Sequence, residues 1–124
     1  MNEKVTLGIR ILFGVFCLVF GLNKFIGFLE FPAIPGDGGT LMGIYMTSGF
    51  MKIIGVLEVV GGLALLAGKY VPLALTFMIA IMFNATLFHA LHDPQNIAGA
   101  ILGMILGMIL VYANKDRFKS LLSA

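Results

Sequence analysis

Charge is what this sequence has least of. Acidic and basic side chains make up 11% of its 124 residues, eight Lys and Arg against six Asp and Glu. A soluble domain carries about 25%, so the chain has too little polar surface to stay in water. Cysteine occurs once, as Cys17, which rules out an intramolecular disulfide and a CxxC dithiol; thiol exchange of that kind cannot be run unaided. The net charge of +2 is small, and the basic residues sit at segment ends rather than along a stripe. That excludes a nucleic-acid-binding surface. Linkers, low-complexity tracts and internal repeats are also missing, so residues 1–124 are expected to form one compact domain.

What is present is apolar sequence: 60% of positions are hydrophobic and the mean hydropathy is +1.04, with short polar interruptions between long runs. A span needs about 20 apolar residues, which predicts an all-α polytopic membrane protein with four transmembrane helices. The first covers about residues 5–29 and ends where Pro32, Pro35, Gly36, Gly38 and Gly39 crowd the following loop, since neither residue type continues a helix well. The second covers about 48–67. Gly68-Lys69-Tyr70 then makes a tight turn, and Pro72 suits the first turn of a third helix at about 70–91, where its missing N–H costs nothing. His92-Asp93-Pro94-Gln95 breaks the chain before a fourth helix at about 95–113, and a polar tail follows. Lys4 and Arg10 ahead of an apolar run resemble a secretory signal, but no small-residue cleavage site follows, so this segment is read as a retained helix. Lys4, Arg10, Lys69, Lys115, Arg117 and Lys119 share one side, against Lys24 and Lys52 opposite, so both termini are expected in the cytoplasm.

Helices in lipid associate through close backbone approach at small residues. Gly99, Gly103 and Gly107 give the fourth helix a smooth face for a neighbour within the bundle, a second copy of the chain being the other surface such a face can meet. Arg10, Gly14, Cys17, Gly21 and Lys24 form one stripe of the first helix and should face protein. Phe13, Phe16 and Phe20 form another, which reads as a lipid-facing or packing surface rather than a cofactor slot. Asn84 and Thr76 read as hydrogen-bonding glue between helices. Cys17 reads as a small buried apolar residue.

Glu58 is the most informative residue, lying near the middle of the second helix. A charge at the centre of a bilayer costs on the order of 2.5–3.5 kcal/mol on insertion scales, so this carboxyl must be protonated, paired, or lining a wet cavity. Gly55, Gly61 and Gly62 beside it place it inside the bundle. Its expected partner is Arg10, either as a pair that handles protons or as one that only fixes helix register. On the opposite side Asn23, Lys24, Lys52, His89, His92 and Asp93 fall near helix ends. They suit a rim holding the polar head of an amphipathic ligand such as a quinone, with His89 donating to a quinone oxygen or shuttling its proton. The plainer reading is that Lys24 and Lys52 snorkel to the interface and His89 bonds a carbonyl. His89, His92 and Asp93 have loose metal-ligand spacing, and no metal is predicted.

Arg10, then Gly21-Leu22-Asn23-Lys24, then Gly55-Val56-Leu57-Glu58-Val59-Val60-Gly61-Gly62, then Phe88-His89 and Asp93-Pro94 together resemble the DoxX family. The resemblance implies a four-helix protein of the bacterial cytoplasmic membrane, similar to a subunit of a thiosulfate:quinone oxidoreductase. Arg10, Lys24, Glu58 and His89 match the polar positions of that family. It implies a membrane subunit of a redox system, with quinone as ligand and another membrane or redox protein as partner. A non-enzymatic assembly or chaperone protein is the alternative, and a small carrier coupled through Glu58 the third.

Overall fold

The computed structural model describes all residues, 1–124. The chain is helical throughout: α1 (Glu3–Ile26), α2 (Gly36–Thr47), α3 (Phe50–Ala67), α4 (Val71–His92), α5 (Ala98–Ala113) and α6 (Lys119–Leu122), with a short 3-10 turn before α5 and another before α6. Asn2 opens α1 by accepting from the backbone N–H groups of Lys4 and Val5. Gly27 closes it at φ 71°, a left-handed conformation that glycine adopts without strain. The first helix therefore stops three residues short of the expected Leu29. The α3–α4 turn and Pro72 in the first turn of α4 are as expected, while α5 begins at Ala98 rather than Gln95 because Pro94–Asn96 forms a separate 3-10 turn.

The stretch read as one long loop contains α2. Its twelve residues include Gly36, Gly38, Gly39 and Gly43, which argue against a helix when propensity alone is weighed. Packing reverses that judgement. A Cβ on Gly38 would lie 2.7 Å from the Cβ of His92, so the missing side chain lets α2 sit against the end of α4. Asp37 in its first turn adds a favourable charge at the helix N-terminus.

Small residues set the register of the long helices. The nearest atoms to a Cβ on Gly14 belong to Leu66 and Gly62, and those to one on Gly21 belong to Glu58, Val59 and Gly55. Thus α1 and α3 run antiparallel with their backbones nearly touching. Gly61 receives Met78 of α4, Gly103 receives Met82 of α4 and Phe16 of α1, and Gly107 receives Ile79 and Phe13. Neighbouring members of α1, α3, α4 and α5 therefore alternate in direction. The start of α1, the α3–α4 turn and the end of α5 share one end of the bundle, and α2 lies at the other. Phe13, Cys17, Leu65, Leu75, Met78 and Leu110 form the core.

Only 22 of the 124 residues are buried, and large apolar side chains such as Leu12, Ile53, Val60, Leu73, Phe83 and Ile105 stand exposed around the outside. A belt of that kind is satisfied by lipid rather than water. Three helices, α1, α3 and α4, are long and apolar enough to cross a membrane. The pair formed by α5 and the segment Lys115–Leu122 meets the same standard together, although it is bent by 84° between them.

Of the two readings of the Phe stripe, the packing surface holds, with Phe13 fully buried and Phe16 set into Gly103. Two other expectations about packing are revised. A Cβ on Gly99 would meet no atom within 4 Å, so the smooth face of α5 begins at Gly103. Asn84 and Thr76 bond the carbonyls of Ala80 and Pro72 in their own helix and remain exposed. A polar group in a helix can satisfy itself one turn back as readily as across an interface.

Candidate functional site

The most buried charge is Glu58, 2% exposed on α3. Its partner is Lys24 of α1, whose Nζ lies 2.5 Å from Oε1. Two glycines make this possible. Gly21 faces the Cβ of Glu58 at 2.9 Å, and Gly55 faces the Cβ of Lys24 at 3.1 Å, both measured from where a glycine Cβ would stand. Any side chain at either position would push the helices apart and open the pair. Apart from this ammonium, Glu58 Oε1 has no partner. Lys24 also donates to the Phe20 carbonyl at 3.4 Å and is 15% exposed. The contact is thus an ion pair with one member sealed and the other reaching the edge of the bundle.

Arg10 is not that partner. The antiparallel register sets Glu58 opposite Gly21 and sets Arg10 beside Gly68, where a Cβ would collide with the guanidinium. Gly68 lies ten residues beyond Glu58 in the chain, about 15 Å at 1.5 Å per residue. Even an extended arginine does not bridge that separation. The expected pairing assumed that long side chains absorb differences in depth, whereas backbone contact at glycines leaves no room for them to travel. Lys24, on the stripe expected to face protein, turns inward rather than snorkelling to the interface.

Cys17 lies one turn from Gly21 on the same stripe and is completely buried. Stripe and protein-facing assignment are as expected, and the thiol has no access to solvent.

A second polar group closes the other side of the same end. His89 Nδ1 lies 3.2 Å from Oδ2 of Asp93, and Asn96 donates to both carboxylate oxygens, at 3.0 and 3.1 Å. Asp93 is 4% exposed, so this cluster fastens the α4–α5 connection. His89 bonds a carboxylate rather than a carbonyl. The Asp93 role was missed because Asp93-Pro94 reads locally as a breaker; the His-x-x-x-Asp spacing, one helical turn, was the available signal. His92 packs against Phe88, ring to ring at 5.5 Å, and against Gly38. Asn23 accepts from the Leu29 backbone at 2.6 Å and ties down the chain leaving α1. Lys52 is exposed on α3 without an ion-pair partner. The expected rim thus divides into two closed sets, Lys24 with Glu58 and His89 with Asp93 and Asn96, with no hydrogen bond or ion pair joining them. No group of three or more His, Cys, Asp or Glu side chains is placed to hold a metal ion.

No curated protein and no solved structure matches the chain. The family model of DoxX matches residues 5–91, from the first turn of α1 to the last turn of α4, and so includes Lys24, Glu58 and the glycines that let them meet. With membrane-length helices, an apolar exterior and a family match over well more than half its length, this chain is a multi-pass membrane protein and belongs to the DoxX family.

Proposed function

We propose that the protein is the membrane subunit of a redox system acting on quinone, with Lys24 and Glu58 as its proton-linked polar site. The carrying observation is the ion pair itself: a sealed carboxylate held 2.5 Å from an ammonium that is 15% exposed. Intramembrane ionisable groups mark proton or ligand pathways, and quinone reduction consumes two protons along with two electrons. A partner subunit supplies the electrons, while this chain supplies the head-group site and a proton route through Lys24 and Glu58. His89, with Asp93 and Asn96, stands at the same end of the bundle as a separate polar set. Lys52 stands at that end by position alone.

The topology in this reading has four spans, α1, α3, α4 and α5, in one domain covering residues 1–124. The antiparallel packing supports it. Lys4, Arg10, Lys69, Lys115 and Arg117 gather at one end, which by the positive-inside rule is cytoplasmic, and the membrane is then the bacterial cytoplasmic membrane. α2, at 12 residues, is about 18 Å long and too short to cross, so it lies along the outer surface.

The test is binding of a photoreactive quinone analogue to the purified protein in lipid nanodiscs. Saturable labelling near α1 and α3, weakened at least tenfold by Lys24→Met, is expected. Absence of saturable labelling sinks the quinone reading. A stoichiometric membrane partner recovered without quinone favours an assembly role instead.

A further inference from the structure

At the end of the bundle opposite Lys24, α1 begins, α3 turns into α4, and α5 ends. A cavity of about 270 Å³ lies among them, with Glu3, Thr6, Arg10, Gly68, Asn114 and Arg117 on its wall. Two arginines from opposite ends of the sequence therefore line one space, with a single carboxylate, Glu3, on the same wall. Neither is within ion-pair distance of a carboxylate: the ion pairs of the molecule join Lys24 to Glu58, His89 to Asp93 and Lys119 to Asp116. Arg10 is half-buried, and its Nε is sealed from solvent without a hydrogen-bond acceptor. Arg117 spends a single long hydrogen bond, 3.4 Å, on Asn114 Oδ1. Arg10 Nε is thus a donor that the protein seals without answering, while Arg117 is exposed and keeps its remaining donors open to solvent.

Position narrows what they receive. Arg10 stands seven residues into α1, about 10 Å along a helix that is long and apolar enough to cross a membrane. Arg117 follows the end of α5, and Lys4, Lys69 and Lys115 surround this same end. An unpaired guanidinium at that depth is costly unless an anion meets it. Arginine forks match the oxygens of phosphate two at a time, and basic pockets between membrane helices hold the head groups of anionic lipids. Gly68 keeps the space open, since a side chain there would displace the Arg10 guanidinium.

We propose that this cavity binds a phosphate group, with Arg10 and Arg117 as its two forks. The phosphate comes from an anionic phospholipid or from free inorganic phosphate, and the site is independent of the Lys24–Glu58 pair.

Native mass spectrometry of the full-length protein, titrated with short-chain phosphatidylglycerol or with inorganic phosphate, tests this. One ligand per chain is expected at saturation. Arg117→Gln, on the exposed tail side where folding is not at stake, should weaken binding at least tenfold, and Lys119→Gln, whose charge is already taken by Asp116, should leave it within twofold. Saturation by the lipid alone assigns the head group as the source; displacement of the lipid by inorganic phosphate at similar concentration assigns the free anion. Failure of both ligands to saturate, or equal weakening by Arg117→Gln and Lys119→Gln, overturns the proposal.

Discussion

Lys24 and Glu58 depend on each other more than any other pair in the molecule. Removing one partner of a buried ion pair leaves an uncompensated charge and costs about 3–5 kcal/mol, whereas replacing both with apolar residues is often neutral. Lys24→Met should therefore lower thermal stability in detergent sharply, and adding Glu58→Leu to it should restore most of the loss. The Arg10 variant makes the contrast. Because Arg10 sits about 15 Å from Glu58 along α3, the effects of Arg10→Gln and Glu58→Gln should add to within about 0.5 kcal/mol. A coupling above about 1 kcal/mol between those two, read from the same melts, would return Arg10 to the carboxylate. Glu58 itself was legible in the sequence as a buried, partnered group. Its partner was not, because two basic residues on one stripe, Arg10 and Lys24, both fit the helical spacing, and only the register between α1 and α3 separates them.

At the scale of the element, glycine acts in two different ways. Gly62 is pressed against backbone, its Cβ position 2.8 Å from the Gly14 carbonyl and 2.9 Å from the Leu18 nitrogen. Backbone cannot give way, so Gly62→Ala should destabilise by about 1–3 kcal/mol through overpacking. Gly99 meets nothing, and Gly99→Ala should be neutral or stabilising by up to about 1 kcal/mol. Thermal unfolding of the two variants side by side checks both, and equal effects would mean that α1 and α3 are less closely packed than described. The long helices were readable from hydropathy, since lipid demands continuous apolar runs. α2 was not, because its glycines serve packing against His92 rather than chain flexibility, a distinction that depends on a contact remote in sequence. The end of α1 moved for a related reason, Gly27 stopping the helix before the prolines are reached.

For the whole molecule, topology is the property that can be measured most directly. The native thiol is fully buried, so single cysteines introduced at the surface report without interference from Cys17. Lys4→Cys, Lys69→Cys and Lys119→Cys should all be labelled by an impermeant maleimide from one side of intact vesicles, and Thr40→Cys from the other. Labelling of Lys69→Cys and Lys119→Cys from opposite faces would show that α5 does not cross, leaving three spans. Gathering of the termini at one end was foreseeable from charge distribution, and the belt of exposed apolar residues from composition. The cavity beneath Arg10 and Arg117 was not, because its walls come from three distant parts of the chain.

The ion pair between α1 and α3 also has a consequence for biogenesis. Lys24 emerges from the ribosome before Glu58, with α2 and its flanking turns between them. At about 5–20 residues per second the interval is roughly 2–7 s. During that interval α1 enters the bilayer with an unanswered cation near its end, where a lysine can reach the head groups. Glu58 has no such refuge at the middle of α3. Its insertion is eased when α1 is already in place, so the order of synthesis, first the cation that can shelter at the surface and then the anion that cannot, suits the assembly of this bundle.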